Sequence, residues 1–243
     1  MNRILIDEGL NYVTRKEDTL CIEIEQDMNL LINDSSLKYE IIVNNCNANI
    51  LSVFENKKNT DIKMEINSSN VICNLISFNT EDQNVLVKLN SKNSSINIYN
   101  SVVSTNKQES NFNILHNAPN TCSNVYNCAV TMKTGSIKFN VTSRVFKDTD
   151  KCVINQDSKI ISLNGSNENE INPNLLIDCY DTLASHAAFI GKFKDEDVFY
   201  MQTRGIKKKD AYNLLLEGFL IGKLDVSSSE KKYLSEKLNK NWR

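Results

Sequence analysis

Short stretches in which apolar and polar residues alternate recur along most of this chain, and they constrain its fold more than any other feature. Examples are residues 20–24, 62–66 and 85–89, which are flanked by asparagine and serine. Alternation with a period of two is typical of β-strands buried on one face. Because no helical period of useful length interrupts these stretches before about residue 205, the sequence predicts an all-β body. Closely spaced short strands fit a sandwich, a barrel or a solenoid.

Asparagine is predicted to supply the chain reversals between these strands. The chain has 36 asparagines, 33 of them before residue 175, but only 7 glycines and 2 prolines. Asparagine tolerates the left-handed backbone region and hydrogen-bonds its own backbone in turns. We therefore expect asparagine to be the main corner residue of the first two thirds of the chain.

The spacing of the seven cysteines favours the solenoid among these folds. Most steps between successive cysteines are of similar length, and the longest is roughly twice as long, which would fit one or two coils of a solenoid. If the coils stack in register, several thiols would form a ladder along one wall of the core. No C-x-x-C pair occurs, so the sequence predicts reduced thiols rather than disulfides or structural zinc. The set is Cys21, Cys46, Cys73, Cys122, Cys128, Cys152 and Cys179.

The last part of the chain is predicted to be helical. Apolar residues recur at helical spacing over residues 207–224, and Ser227 with Glu230 forms a capping box that predicts a second helix. We therefore predict a β body over residues 1–203 and a helical domain over residues 204–243. The first helix carries two apolar stripes, which we expect to be buried on more than one side. The stripes are Ala211, Leu215 and Phe219, and Tyr212, Leu216 and Leu220.

Charge and motif content exclude several classes of function. The net charge of -2 and the pI near 5.8 give no basic surface for nucleic acid or anionic lipid. The segment from Met1 to Val13 lacks the unbroken apolar region of a secretory signal, and no stretch is long enough to span a membrane, so we expect a cytoplasmic protein. The glycines are too scattered for a phosphate-binding loop, and no nucleophile has a motif-level activating neighbour. No ATP site and no enzymatic activity are predicted.

The segment from Pro173 to Phe219 resembles the SufB/SufD family, the β-helical subunits of iron-sulfur cluster assembly. A looser likeness continues upstream through His116, Asn117, Ser123, Phe139 and Asn140. The residues that carry the close match are Pro173, Leu175, Ile177, Asp181, Ser185, His186, Ala188, Gly191, Phe199, Tyr200, Arg204, Gly205, Ile206, Ala211 and Phe219.

The resemblance implies a right-handed parallel β-helix followed by a short helical domain. It also implies a complex with the ATPase SufC and usually a second β-helical subunit. The chain departs from the family pattern in lacking the helical N-terminal region of longer members and in having Val141 where glycine is usual. Ala187 stands where SufB-type scaffolds carry glutamate, and Asn167 stands where they place a cysteine. These last two differences favour a SufD-like role.

Two other interpretations remain open from the sequence. One stays in the family: a minimal SufB-like scaffold that forms a homodimer on SufC and builds the cluster with its own Cys179 and His186. The other is a structural or adhesive β-solenoid, to which an asparagine-rich first half is equally suited. The sequence leaves open whether the β-helical partner is a SufB-like subunit or a second copy of this chain.

The resemblance assigns candidate roles to individual residues. His186 would lie at the subunit interface and help to hold iron or a transient iron-sulfur cluster, or would only hydrogen-bond there. Cys179 could receive sulfur or ligate iron, although free cysteine is more often a small buried apolar residue. Cys152 is a weaker candidate, and His116 is expected to be a satisfied polar residue at a β-helix corner. The residues expected to hold the SufC-type ATPase are Arg204, Gly205, Ala211, Leu215 and Phe219.

Overall fold

The computed structural model describes residues 4–5, 13–33, 36–163 and 168–241. Within these residues the chain forms two β-sheets and three α-helices. Asn167, used above to separate SufB-like from SufD-like chains, lies outside the described residues.

Along most of the chain, successive strands belong alternately to two β-sheets. From β3 (Thr19–Ile24) onwards each strand pairs in parallel with the strand two places later, whereas β2 (Val13–Lys16) pairs antiparallel with β3. Each coil therefore contributes one strand to each sheet, which confirms a parallel β-helix and excludes the sandwich and the barrel. Sheet A has the order β1 (Ile4–Leu5), β4 (Met28–Ile32), β6 (Asn47–Glu55), β8 (Asn70–Phe78), β10 (Ser95–Ser104), β12 (Cys122–Thr131), β14 (Cys152–Ser162), β16 (Thr182–Gly191). Sheet B has the order β15 (Glu170–Ile177), β13 (Ser136–Val145), β11 (Lys107–His116), β9 (Asp82–Leu89), β7 (Asn59–Asn67), β5 (Lys38–Asn44), β3 (Thr19–Ile24), β2 (Val13–Lys16).

Asparagine is the main corner residue of the coils, as predicted. Of the ten described non-glycine residues with positive φ, five are asparagines that lie between consecutive strands: Asn45, Asn56, Asn79, Asn93 and Asn120. The left-handed conformation at these corners suits asparagine because its short amide side chain hydrogen-bonds locally.

Asparagine has a second use, which the sequence did not reveal. On sheet B, the Nδ2 of Asn111 donates to the Oδ1 of Asn84 at 3.0 Å, that of Asn140 to Asn111 at 2.7 Å, and that of Asn172 to Asn140 at 2.9 Å. Asn111 and Asn140 each act as donor to one coil and acceptor from the next. The row therefore ties successive coils together in a fixed register.

The coils lengthen along the chain. Thr19 lies opposite Lys38 at the N-terminal end, whereas Lys138 lies opposite Glu170 at the C-terminal end, a much larger separation in sequence. The strands lengthen in step, from 6 and 5 residues in β3 and β4 to 10 and 11 in β13 and β14. The solenoid is therefore narrow at its N-terminal end and wide at its C-terminal end.

The predicted cysteine ladder is wrong. Cys73 lies opposite Ile50 and Ile98, and no cysteine in the paired strands lies opposite another. The near-constant cysteine spacing cannot stay in register because the coil length changes between the two ends. All seven cysteines are free thiols, as predicted.

The interior changes from apolar to partly polar as the coils widen. Leu20, Ile22 and Ile24 are buried in the narrow coils, together with other aliphatic side chains. In the wide coils the same interior also contains buried polar side chains, among them Asn100, Asn127, Ser143, Gln156 and Ser158. Polar groups inside the body therefore concentrate towards its C-terminal end.

The helical part begins earlier than predicted. Helices α1 (Asp195–Thr203), α2 (Lys208–Ile221) and α3 (Ser228–Asn241) follow β16. The expectation of β structure up to residue 203 is therefore wrong for residues 195–203. Asp195, Glu196 and Asp197 occupy the first turn of α1, where negative charge interacts favourably with the helix dipole.

Helices α2 and α3 pack on the face of sheet A that is turned away from the interior. Leu216, Leu220 and Leu234 form one buried cluster with strand residues that include Ile76 and Val103. The predicted capping box of α3 is confirmed. The Ser227 backbone N–H donates to Glu230 Oε2 at 2.7 Å, and the Glu230 N–H donates to Ser227 Oγ at 3.3 Å.

Gly205 ends α1 with a Schellman arrangement. Its φ is +83°, its N–H donates to the Gln202 carbonyl at 2.9 Å, and the Ile206 N–H donates to the Met201 carbonyl at 3.2 Å. A Cβ at Gly205 would meet nothing within 4 Å, and the same holds for Gly218 in the middle of α2. The two glycines therefore differ in backbone conformation but not in available space.

We expect Gly205→Ala to destabilise the protein by about 1 kcal/mol, because alanine is strained at positive φ. Gly218→Ala is the matched control and should stabilise by roughly 0.5–1 kcal/mol, since alanine favours the helix interior. Thermal unfolding of both variants followed by circular dichroism measures the difference. Equal shifts in Tm would show that Gly205 is not held in the left-handed region.

Candidate functional site

The β-helix ends on two strands that lack a further neighbour within the part of the chain that the structure describes. These strands, β15 in sheet B and β16 in sheet A, are here called the open end. An edge strand presents unpaired backbone N–H and C=O groups to any chain that can pair with it. The open end also exposes large apolar side chains, with Leu183 at 74% of its surface. The others are Leu176, Phe189 and Ile190.

His186 lies on β16 and belongs to the face that lines the interior. Its register partner on β14 is Gln156, which is 1% exposed inside the β-helix. Side chains of register partners on parallel strands point to the same side of the sheet. His186 is therefore exposed because no further coil covers it. The same face of β16 also carries Ala184 and Ala188 on either side of the imidazole.

The residues adjacent to His186 in sequence face the other way. Ser185 Oγ donates to Asn155 Oδ1 at 2.9 Å on the outer side of sheet A, and Ala187 shares that side. The open space around the imidazole therefore comes from Ala184 and Ala188.

Polar side chains lie in the interior directly behind His186. Gln156 Nε2 donates to Ser143 Oγ at 2.9 Å and to the Asn174 carbonyl at 3.2 Å. Beside it, Asn127 Nδ2 donates to Ser158 Oγ at 3.1 Å. The wide end of the β-helix thus places a polar layer under an exposed imidazole.

Cys179 lies away from His186. It occupies the turn between β15 and β16, where its Sγ lies 2.9 Å from Thr182 Oγ1. Thr182 and His186 are four positions apart on an extended strand, which is roughly 13 Å. Cys152 is buried, and its Sγ lies 3.1 Å from the Thr149 carbonyl oxygen. A single chain therefore does not bring these candidate ligands together.

The described residues contain no group of three or more His, Cys, Asp or Glu side chains that could hold a metal ion. His186 offers one imidazole ligand at an edge. Iron sites in proteins need several protein ligands, usually cysteine or histidine. Any iron bound at His186 would therefore need further ligands from a docked chain.

His116 is a structural residue, as expected. It is fully buried at the end of β11, with Nδ1 2.8 Å from Thr121 Oγ1 and Nε2 2.9 Å from Ser123 Oγ. Burial lowers the pKa of the imidazole to about 4 because the charged form loses its hydration. His116 is therefore neutral at physiological pH.

The predicted ATPase-binding residues differ in accessibility. Arg204 and Gly205 are exposed, and the Arg204 guanidinium lies 5.3 Å from the centroid of the Tyr200 ring. Ala211 is fully buried and is not available to a partner, whereas Leu215 and Phe219 are half-buried.

Members of both apolar stripes of α2 pack against other residues of the same chain, so the stripes alone do not indicate a partner. Leu216 and Leu220 pack on sheet A, and Phe219 of the other stripe lies edge-to-face with Phe193 of the same chain at 6.1 Å. The large apolar side chains that α1 and α2 do expose are Phe199, Tyr200 and Leu214. Sequence periodicity missed these three because it finds buried stripes, whereas a partner would contact exposed residues.

Comparison with known proteins agrees with this architecture. The family model for the SUF system FeS cluster assembly, SufBD core domain, matches residues 29–219. The iron-sulfur cluster assembly protein SufD of Bacillus subtilis is 31% identical over 100 residues, 40% of this chain and 23% of that protein. An iron-sulfur cluster assembly SufBD family protein of Mycobacterium leprae is 32% identical over 91 residues, 36% of this chain and 22% of that protein. The matched part thus spans less than a quarter of each relative.

Among the described residues, none of the helices has the length and apolar character needed to cross a membrane.

Proposed function

Because this chain belongs to the SufB/SufD family, we propose that it is a non-catalytic, SufD-like subunit of an iron-sulfur cluster assembly complex. The observation that carries this proposal is the open end, where an exposed imidazole stands between two alanines on an edge strand. Its seven free thiols fit a reducing compartment, which we take to be the cytoplasm. ATP hydrolysis belongs to a SufC-type partner in this proposal, since the sequence carries no phosphate-binding loop.

The open end is the proposed seam with a second β-helical subunit. A partner whose own strands pair with β15 and β16 would satisfy the free backbone groups of both sheets at once. It would also cover Ile190, which lies on the interior side of β16 and is exposed in the single chain. We propose a SufB-like subunit as the partner, and a second copy of this chain is the alternative outcome of the assembly tests.

His186 is the proposed contribution of this chain to the cargo at that seam. Iron or a nascent cluster would be bound by the imidazole and by ligands of the partner subunit. Ala184 and Ala188 leave room above the ring for those ligands. Cys179 would act separately, if at all, because Thr182 holds its thiol at the far end of the strand.

We expect His186→Ala to leave the fold and the complex intact but to reduce iron binding and cluster formation. The measurement is iron content and visible absorbance of the complex reconstituted with SufB-type and SufC-type subunits, iron and sulfide. Ser185→Ala is the matched control, because it removes a polar side chain from the adjacent, outward-facing position. Wild-type cluster yield in an assembled His186→Ala complex would falsify the cargo role.

We propose that the SufC-type ATPase binds the exposed apolar residues of α1 and α2. Phe199 is 67% exposed, and Leu214 lies beside the half-buried Leu215. A charge at Leu214 tests binding more cleanly than one at Leu215, because substitution of a half-buried residue also weakens packing. Arg204, stacked on Tyr200, would supply a charged group at the edge of this surface.

Phe199→Asp and Leu214→Asp should each reduce co-purification with the ATPase by at least tenfold, since an unpaired charge is costly in an apolar interface. Tyr233→Asp on α3 is the matched control, because it places the same charge at an exposed aromatic residue outside α1 and α2. Pull-down with a tagged SufC-type subunit, with circular dichroism to check folding, measures the effect. Retention of the ATPase by both folded variants would exclude this surface.

A further inference from the structure

Gln156 is a buried polar residue that the proposed function leaves unexplained. Its Nε2 donates both protons, to Ser143 Oγ at 2.9 Å and to the Asn174 carbonyl at 3.2 Å. A backbone carbonyl oxygen can only accept, so the group facing Asn174 is the amide nitrogen and the orientation of the amide is settled. Gln156 Oε1 is then left buried and without a partner among the described residues. Buried acceptors of this kind are rare and call for an explanation.

The position of Gln156 in the register indicates the missing partner. Polar register partners on neighbouring coils repeatedly hydrogen-bond in this protein, inside and outside the β-helix. Asn100 Nδ2 donates to Asn127 Oδ1 at 3.1 Å, and Asn127 Nδ2 donates to Ser158 Oγ at 3.1 Å. The register partner of Gln156 on the next strand is His186, on the same side of sheet A.

We propose that Gln156 is a positioning residue for His186, with its Oε1 accepting a hydrogen bond from one ring N–H of the imidazole. The proposal rests on the proposed function of His186 at the seam. A neutral imidazole has one protonated and one free ring nitrogen, and a bond to the first determines which nitrogen is left to bind a metal. The free nitrogen would then point away from the interior, towards the docked subunit.

The anchoring of Gln156 suits this role. Ser143 on β13 and Asn174 on β15 hold its amide from the opposite sheet, so the oxygen cannot turn away without losing both bonds. Metal-binding histidines commonly donate their second ring N–H to a carbonyl or carboxylate oxygen, which orients the ring. The His186 ring is exposed in the single chain and would be held in place once a partner covers it.

The test compares Fe²⁺ binding by the reconstituted complex under anaerobic conditions. Gln156→Met keeps the length of the side chain but removes the acceptor, and should weaken Fe²⁺ binding about 10- to 100-fold. Asn127→Leu is the control and should bind Fe²⁺ like the wild type, because it removes an equally buried amide that is not the register partner of His186. If Gln156→Met does not assemble, Gln156→Asn takes its place in the test, because the asparagine side chain is one methylene shorter and withdraws the oxygen from His186.

A second readout does not depend on metal. The chain has only two histidines, so ¹⁵N NMR of the histidine-labelled chain in the metal-free complex resolves the tautomer of His186. We expect one dominant tautomer in the wild type and in Asn127→Leu, and a mixture of both tautomers in Gln156→Met.

The outcomes separate this inference from the proposed function. Wild-type Fe²⁺ affinity in His186→Ala would remove the role of His186 itself. Loss of Fe²⁺ in His186→Ala, with wild-type affinity and tautomer ratio in Gln156→Met, would overturn only the positioning role. Equal weakening by Gln156→Met and Asn127→Leu would also overturn it, because the loss would then follow from disturbing the polar layer and not from removing the acceptor next to His186.

Discussion

Lysine in place of Ala188 should abolish assembly at the open end, whereas lysine in place of Ala187 should leave assembly intact. Both alanines are exposed in the single chain, so neither substitution should disturb folding. Ala188 faces the interior side of β16, which a docked β-helix would cover, and an unpaired charge buried there costs about 3–5 kcal/mol. That energy corresponds to a loss of affinity of roughly 150- to 4,000-fold.

Ala187 makes a stringent control because it is adjacent in sequence and faces the other side. Its register partner is Asp157, so a lysine there would meet a carboxylate on the outer face of sheet A. Sedimentation of the chain alone and co-purification with the SufB-type subunit of its own organism distinguish self-association from pairing with a partner. Unchanged assembly of Ala188→Lys in both experiments would exclude the open end as the seam.

Acidification from pH 6.5 to pH 4 should remove on the order of 3 kcal/mol of stability through His116 alone. Burial lowers the pKa of this imidazole from its ordinary value of 6.5 to about 4 in the folded state. Between these two values the unfolded chain binds a proton that the folded chain does not, so stability falls as pH falls. A shift of one pKa unit corresponds to about 1.4 kcal/mol.

His116→Gln isolates this contribution from the carboxylates that titrate in the same range. The glutamine amide can keep one donor and one acceptor for Thr121 and Ser123 but cannot be protonated in this range. We expect the variant to be less stable than wild type at pH 7 and to lose less stability on acidification. Urea unfolding at a series of pH values provides the comparison. A slope equal to that of wild type between pH 6.5 and pH 4 would show that His116 is not held neutral by burial.

The strands and corners could be predicted because both leave local signals. Alternation identifies a strand from a short run of residues, and asparagine marks corners such as Asn45 and Asn120 by its own backbone preference. Coil length leaves no such signal, because it depends on which strand pairs with which. The cysteine ladder failed for that reason, since Cys73 lies opposite Ile50 and Ile98.

Helix α1 escaped prediction because it carries almost no periodic pattern. Val198 is its one buried residue, so no apolar stripe distinguishes it from a loop. Its signals lie at its ends, in the acidic first turn and in the Gly205 cap.

For the candidate site, the sequence offered a candidate residue but not its geometry. The resemblance to the SufB/SufD family singled out His186, and the structure places it on an exposed edge strand. The side of the sheet on which the His186 side chain lies depends on whether Gln156 or Asn155 is its register partner on β14. A shift of one residue would place the side chain on the opposite face of the sheet. Sequence alone does not give that register, and Gln156 consequently went unnoticed as its neighbour.

The widening of the coils restricts how copies of such a solenoid can join. Thr19 pairs with Lys38 at the narrow end, whereas Cys152 pairs with Thr182 at the wide end, so the last coil contains many more residues than the first. Head-to-tail stacking would join ends of unequal perimeter, and at the narrow end it would also meet the antiparallel strand β2. Two wide ends match each other, and their contact uses the same patch on both sides. That isologous geometry closes at two members, so the taper disfavours growth into a filament.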